Sequence, residues 1–449
     1  MKKIFQYIML AVVTIVMASC TSDIEETTAT TGKSNVQLVV GEFPAFGDSQ
    51  TRAIGTPDEG KTSWAEGDEL LLEIDNTSYG RHNATFTYNG KSWELTSGEL
   101  VYLEGDPAYI SHVYYAPNYK WSNTSLMLKK GKVAGTDELI EGKARITGNG
   151  ETITVSFAEA TRKYSRLRIA TLPNEQITVD TEYFTPAGSS DMEQNGNYTL
   201  TSDEKGNAYL YGTFENNSEV TVKYREAALT THTFSQATES AKSYALDATV
   251  ISANSAEEIK SAIEQKVADG KTTIRLNLAP NAGTNEFMAI REAIKGAAPN
   301  DLGTIELTII GVETIPEEAF YKMLQLKSVR MSDVKEIKKY AFKECQYLTV
   351  VEAPSLNKLY SGAFKKCDQL SKLTFGPINY ADERNWPIFE YITPNIDLIL
   401  SDYQKEMIET DSYLYTANND RDYAGSDEHN SKNFLGREFR SITCRYPVE

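Results

Sequence analysis

Basic charge, cysteine and histidine are all scarce in this chain of 449 residues. Lys and Arg number 45 against 63 Asp and Glu, a formal net charge of −18. That balance argues against a nucleic-acid partner, because neutralising phosphates needs clustered Lys and Arg. The four cysteines, Cys20, Cys345, Cys367 and Cys444, are too few for a disulfide scaffold. None of the four histidines (His82, His112, His232, His429) sits in H-E-x-x-H or beside a cysteine pair, so zinc-ligand spacing is missing. No G-x-S-x-G elbow offers a hydrolase nucleophile. Beyond the N-terminus no apolar run is long enough to span a membrane. The expectation is a protein that is not an enzyme and uses no cofactor or metal. A glycan hydrolase stays a remote alternative, since spacing along strands cannot show whether two carboxylates face each other.

Two near-motifs need weighing. Gly55-Thr-Pro-Asp-Glu-Gly60-Lys61-Thr62 satisfies the P-loop pattern. That motif works only where a strand enters the loop and a helix leaves it, presenting backbone N–H groups to phosphate. Here Thr51–Ile54 is short and polar, and SWAEGDELLLEI after Thr62 reads as turn then strand. The acidic run from Asn418 to Glu428 supplies oxygens of the kind calcium takes, without the spacing or central glycine of an EF-hand loop.

At the N-terminus, Lys2 and Lys3 precede an apolar run from Ile8 to Val16 and then Met17-Ala18-Ser19-Cys20. This is the layout of an export signal. The small pair before cysteine resembles a bacterial lipobox, although Met17 stands where Leu is favoured. The resemblance implies acylation of Cys20 and cleavage just before it; the alternative is an ordinary signal peptide cut near Ser19. The polar, Thr-rich run that follows reads as a leash. Its acidic start, Asp23-Ile24-Glu25-Glu26, resembles the surface-export signal of Bacteroidetes lipoproteins.

From Val36 to about Val250 apolar and polar residues alternate in short runs. Ile153, Val155 and Phe157 share one face, as do Val220, Val222 and Tyr224. Such runs are half-buried strands. Asn89-Gly90, Asn149-Gly150 and Asn195-Gly196 are expected to close hairpins, since that pair accepts the positive φ of a two-residue turn. About a dozen strands at this spacing predict an antiparallel sandwich, two in tandem.

The pattern changes after Ser252. Ser255-Ala-Glu-Glu258 is a capping box ahead of a helical stripe at Ile259, Ala262, Ile263 and Val267. A strand at Ile274–Leu278, a helix near Phe287–Lys295 and a strand at Ile305–Ile310 follow. Three segments starting at Val312, Val334 and Leu356 then match position by position, 22 residues apart. Ile315, Ile337 and Leu359 correspond, as do the Ala-Phe pairs at 319–320, 341–342 and 363–364, and Leu326, Leu348 and Leu370. A fixed short period with apolar columns in register is the mark of a solenoid. Cys345 and Cys367 share one column and are expected as reduced interior fillers, with Met323 before them. A last strand is expected at Ile396–Leu400 and a closing segment at Leu435–Ile442.

The pattern I-x-x-x-A-F-x-x-C-x-x-L-x-x-L resembles the BspA-like leucine-rich repeats of bacterial surface proteins. Thr51-Arg52-Ala53, with Trp64-Ala-Glu-Gly67-Asp68 after it, resembles the fimbrillin-like (Mfa-like) lipoproteins of Bacteroidales. These resemblances imply an all-β tandem sandwich of transthyretin-like type followed by an α/β leucine-rich-repeat solenoid. The expected divisions are a signal peptide at 1–19, a lipidated tether at 20–35, sandwiches at 36–160 and 161–250, and the solenoid with its caps at 251–449 (clear repeats 312–377). In pilin members a protease cuts after the leader Arg, here Arg52, and subunits join by strand exchange. A long C-terminal repeat region leaves a polymerising subunit little room and favours an anchored or tip-like role.

The expected function is adhesin-like binding at the cell surface, from an outer-membrane lipid anchor at Cys20. The partner would be a host protein, a glycan, or another bacterial or fimbrial surface subunit. Lys327, Arg330, Glu352, Lys372 and Thr374 face outward from the repeat strands and are the candidate partner-binding face; a plain solvated surface explains them equally well. The alternative is a fimbrial accessory or anchor subunit engaged by strand exchange.

Overall fold

The computed structural model describes residues 27–28, 37–46, 60–76, 80–100, 108–123, 125–147, 152–158, 162–225, 227–253, 255–382, 387–402, 404, 433–435 and 437–445. Cys20, Arg52, the Asn149-Gly150 pair and the acidic run at 418–428 lie outside them. The chain is mostly β-strand, with two helices among the described residues, and it divides into two compact units. One holds Met1–Thr221 with Thr231–Asp247, the other Val222–Thr230 with Ala248–Glu449.

In the first unit a four-stranded and a five-stranded sheet enclose a shared core. The four-stranded sheet runs Thr27–Thr28, Gln37–Val40, Thr152–Ser156, Lys143–Thr147. The five-stranded one runs Trp93–Gly98, Gly80–Tyr88, Glu69–Asn76, Ala108–Tyr115, Ile140–Glu141. Alternation does the sorting: Leu70, Leu72 and Ile74 point into the core with Phe86, Val113, Leu38, Ile153 and Val155. Trp64 is the hub, its ring edge-on to Phe43 at 4.9 Å, Trp93 at 5.1 Å, Tyr115 at 5.4 Å and Phe157 at 5.6 Å. The W-x-x-G-D element is therefore a structural device. Gly67 takes φ +92°, and the Asp68 carboxylate accepts from Ala65 N at 2.7 Å and pairs with Lys61 at 2.8 Å.

Strands between 165 and 247 hydrogen-bond into one seven-stranded sheet, where the tandem reading expects a second pair of sheets. The cause is the long strand Gln176–Pro186: its residues 176–184 pair with Glu193–Thr201, and its end, 184–186, turns to Asn207–Phe214. Tyr183, at φ +50°, marks the irregularity between the two pairings. The Asn-Gly reading holds in part once and fails once: Tyr88 pairs with Trp93, so four residues, 89–92, span the first turn where the reading expects two. Asn89-Gly90 closes a hairpin with Gly90 at φ +85°. Asn195 and Gly196 instead lie inside a strand opposite Glu182 and Thr181, and the turn falls at 187–192 around Gly188, φ +86°. A Cβ on residue 196 would sit 2.6 Å from Thr181 Oγ1, so this glycine serves close cross-strand packing and not a turn.

Arg162 fastens the beginning of this unit. Buried to 1% exposure, its guanidinium donates to the carbonyls of Pro44 (2.9 Å) and Ala45 (3.0 Å) and to the Glu138 carboxylate (2.9 Å). Trp64 Nε1 adds a bond to Gly41 O at 2.8 Å. The segment 37–46 is thus held by strand pairing, a buried ion pair and an indole.

The second unit opens with helices Ala256–Ala268 and Thr284–Ala297, which alternate with strands Ile251–Ala253, Thr273–Leu278 and Ile305–Ile310. Ser255 caps the first helix by accepting from Glu258 N at 3.3 Å; Glu286 accepts from Gly283 N at 2.8 Å at the second. All eight strands of the main sheet are parallel, the later ones being Leu326–Arg330, Val350–Ala353, Lys372–Phe375, Asp397–Ser401 and Ser441–Arg445. A second parallel sheet joins Thr314–Ile315, Glu336–Ile337, Lys358–Tyr360 and Tyr380–Asp382. Each 22-residue segment gives one strand to each sheet, and Val329 pairs with Val351 and Val351 with Leu373.

Between the sheets the Ala-Phe column stacks. Phe320, Phe342, Phe364 and Phe389 follow at 5.1, 5.4 and 5.7 Å, with interplanar angles of 22°, 6° and 9°. Phe287 and Phe439 meet the two ends edge-on, at 77° and 89°. Cys345 and Cys367 are fully buried and unbonded to each other; their thiols donate to Phe320 O (2.9 Å) and Phe342 O (3.0 Å). Burial pushes the Cys345 thiol up to about 12, which keeps it protonated. Each segment turns the corner on two left-handed residues in register: Glu318 and Lys322, Tyr340 and Glu344, Gly362 and Lys366.

Candidate binding face of the repeat region

Side chains alternate across a strand, so one set of main-sheet residues packs inward and the other forms continuous outward rows. Strand register defines the rows. One runs Thr273, Glu306, Ser328, Val350, Lys372, Asp397, Ser441; the next runs Arg275, Thr308, Arg330, Glu352, Thr374, Ile399, Thr443. Arg330, Glu352, Lys372 and Thr374 therefore stand together, one strand spacing or one row apart. Lys327 is exposed on the same face and pairs with Glu306, but it stands outside the two rows. The register slips between Ile305 and Glu306, so that Ser328 takes the place opposite Glu306 and Lys327 becomes the extra residue.

The charges on this face are arranged in pairs. Glu352 receives Arg330 Nε at 2.9 Å and Lys372 Nζ at 3.5 Å, placing one carboxylate between two cations. Lys327 pairs with Glu306 at 2.8 Å, and Asp397 accepts from Arg440 Nε at 2.8 Å and Ser441 Oγ at 2.6 Å. Those two donors hold the Asp397 carboxyl at about 2, below the usual carboxylate range. Exposed pairs of this kind add little stability, and what they set is the order of charges along the face.

Beside the ion triad lies a groove of about 490 Å³. Its walls include Thr308, Arg330, Glu352, Lys372, Thr374 and Ile399, with Ser401 and Arg445 at the C-terminal side and the edges of Met331, Phe375 and Leu400 beneath. The buried hydroxyl oxygens of Ser332 and Ser401, both lining it, have no hydrogen-bond partner. Four of the five face residues named from the sequence line this groove. Its C-terminal part was not legible there, because Ile399, Ser401 and Arg445 lie past the clear repeats and only the strand register brings them alongside.

The remaining candidates are dispersed. Lys61 of the P-loop-like stretch pairs with Asp68 and lies 5.5 Å from the Phe43 ring centre, and a turn and strand follow it in place of a helix. His82 lies 3.8 Å from Glu99, His112 stacks on Tyr114 at 5.7 Å, and His232 meets Phe234 edge-on at 4.8 Å. Among the described residues no three His, Cys, Asp or Glu side chains converge as a metal site would require, and no helix is long and apolar enough to cross a membrane.

No curated protein matches the chain. Residues 302–408, the stretch that carries the central strands of both parallel sheets, match the family model of the BspA type leucine rich repeat region, in six copies.

Proposed function

We propose that this chain is a cell-surface binding lipoprotein, without enzymatic activity, whose C-terminal repeats form a leucine-rich-repeat solenoid that engages a partner across the outward face of the main sheet. The observation that carries the reading is the groove beside the Arg330–Glu352–Lys372 triad. It combines apolar edges, a fixed charge pattern and two hydroxyls without partners on a rigid parallel sheet. Solenoids commonly bind on such continuous strand surfaces, and BspA-like repeats are often adhesin-like. A host protein, a glycan or another bacterial surface protein would be the partner. Acylation at Cys20 and the acidic leash behind it would place the chain at the outer membrane, facing outward.

The test is a protein and glycan array probed with residues 34–449, followed by the partner's affinity for Arg330→Glu with Lys372→Glu. That double change surrounds Glu352 with like charge, and the expected result is a loss of at least tenfold, about 1.4 kcal/mol. Unchanged affinity in a variant with a wild-type circular dichroism spectrum would remove this face from consideration.

A second reading, an accessory or anchor subunit of a fimbrillin-like assembly, is favoured by one feature. The strand Gln37–Val40, whose Leu38 is 1% exposed, lies upstream of Arg52 and pairs parallel to Thr152–Val155. Cleavage after Arg52 would separate this strand from the chain and open its place to a donor strand. Mature protein from cells whose N-terminus still begins at Cys20 would count against that reading.

A further inference from the structure

The corner at which each repeat turns past its Ala-Phe pair carries a second surface, unlike the sheet face. Lys343 Nζ lies 4.8 Å from the Tyr340 ring centre and 5.1 Å from that of Tyr321. Lys339 lies 4.8 Å from Tyr340, and Lys322 lies 5.2 Å from Tyr321. Lys366, exposed, occupies the column of Lys322 two repeats on. Lysine and tyrosine therefore alternate along a ridge that crosses three repeats.

The two surfaces differ in how their charge is balanced. On the sheet face each of Lys327, Arg330 and Lys372 has a carboxylate beside it. On the ridge the carboxylates are Glu317 and Glu318 on the first repeat, Glu344, Asp368 and the buried Glu390, and of these Glu344 is committed to Lys322 at 3.6 Å and Glu390 to Lys365 at 2.6 Å. Among the described residues no carboxylate lies within ion-pair distance of Lys339, Lys343 or Lys366; the first two rest on tyrosine rings. Arg291 and Lys295 approach from the neighbouring helix, donating to the carbonyls of Glu318 (2.8 Å) and Tyr321 (3.4 Å). Burial first, then repulsion from Arg291 and Lys322, lowers the Lys295 pKa, as a locally positive surface should. Over 312–377, Lys and Arg outnumber Asp and Glu by 11 to 8, in a chain whose net charge is −18.

We propose that this ridge of Lys339, Lys343 and Lys366, with Tyr321 and Tyr340, is a docking surface for a linear acidic glycan. Ammonium groups held on ring faces meet sulfate or carboxylate, and the tyrosine rings fix their positions along the ridge. The spacing suits such a chain: the rings of the adjacent phenylalanine column advance 5.1 and 5.4 Å per repeat, close to the length of one monosaccharide. Screening over a Debye length of roughly 8 Å lets the ridge act on its own despite the anionic whole. A nucleic acid, with one charge per ~1.7 Å of duplex axis, carries far more charge than three lysines can neutralise. The proposal stands whether or not the sheet face binds a partner.

The experiment measures binding of residues 34–449 to dextran sulfate, polygalacturonate, neutral dextran and oligo-dT at several salt concentrations. Binding to one or both acidic glycans and not to neutral dextran is expected, with the sulfate and carboxylate arms showing which anion is preferred. The logarithm of the binding constant should fall with log salt at a slope near −2 to −3, on the order of one released counterion per lysine. Lys339→Gln with Lys343→Gln and Lys366→Gln should weaken it at least ~tenfold, while Lys120→Gln with Lys130→Gln and Lys132→Gln, exposed in the other unit, changes it less than ~twofold. Four results would overturn the proposal: no binding to either acidic glycan at low salt, equal binding of neutral dextran, tighter binding of oligo-dT, or a salt-independent affinity. The salt slope is read on the wild-type chain and so does not depend on the variants folding.

Discussion

Truncating Phe342 to alanine probes the repeat region where its packing is most ordered. The ring is fully buried between Phe320 at 5.1 Å and Phe364 at 5.4 Å, nearly parallel to both. Removing a buried phenylalanine costs about 3–5 kcal/mol in transfer and cavity terms. Here two ring pairs vanish together, each worth roughly 0.5–1.5 kcal/mol beyond burial, so the upper half of that range is expected. The backbone has no reason to move: Phe342 N keeps its bond to Ala363 O at 2.8 Å, and Phe342 O still accepts from Cys367. The damage should therefore be local. Hydrogen exchange read by mass spectrometry should show lost protection in peptides spanning 320–364 and none across 60–158 in the other unit. Phe342→Leu, which keeps more of the volume, should cost less. A cost under about 1 kcal/mol, or equal loss of protection in both units, would refute the claim that the stacked column holds the repeats together.

Arg162→Ala leaves Glu138 buried without its cation and should cost about 3–5 kcal/mol, seen as an earlier urea transition in the fluorescence of Trp64, Trp93 and Trp121. The same variant should lose amide protection in 37–46, since Pro44 and Ala45 lose their donor. Gly362→Ala combines a left-handed φ of +62° with a Cβ 2.5 Å from the Tyr340 ring and should destabilise by about 1–3 kcal/mol. Glu318→Gly, in the same column, should cost less than about 1 kcal/mol in the same melt. Native Cys345 and Cys367 should resist Ellman's reagent at pH 8 and react on unfolding. The folded thiol titrates above the unfolded one, so Cys345 withholds stability only in alkali, and urea midpoints should fall as pH rises from about 9 toward 12. Asp397 behaves oppositely: its folded pKa is depressed to about 2, so its contribution is present near neutrality and lost as pH falls from about 4. Protection of Ser441–Arg445 should fade over that acid range.

Much of the repeat region is legible in the sequence, because its period and its packing are the same fact. Ile315, Ile337 and Leu359 recur every 22 residues because each fills the same place in successive turns of chain, and helix and strand edges there fell within a few residues. That Lys327 stands on the face but beside its rows is not visible in the sequence, because a bulge depends on the partner strand, which local sequence does not show. The groove was only half visible for the same reason. In the first unit the alternation found strands but not their partners. Nothing in the residues around Gly196 says that residues 193–201 will lie flat against 176–184, and the Asn-Gly pair invited a turn. Arg162 and Glu138 are 24 positions apart, and each looks like surface until the fold buries both. The Lys–Tyr ridge was present in the repeats as written, yet its cations share a surface only because the corners are left-handed in register.

The edge-on rings at both ends of the phenylalanine column limit how this region can change in size. Phe287 and Phe439 turn across the stack and present no parallel face to which another ring could add. Lengthening is therefore expected inside the column, by whole turns of chain that keep both terminators in place; the steps seen are 22 residues from Phe320 to Phe364 and 25 from Phe364 to Phe389. An insertion that did not complete a turn would shift the thiol and phenylalanine columns out of phase at once. The phenylalanine column is open to duplication in its middle and closed at its two ends.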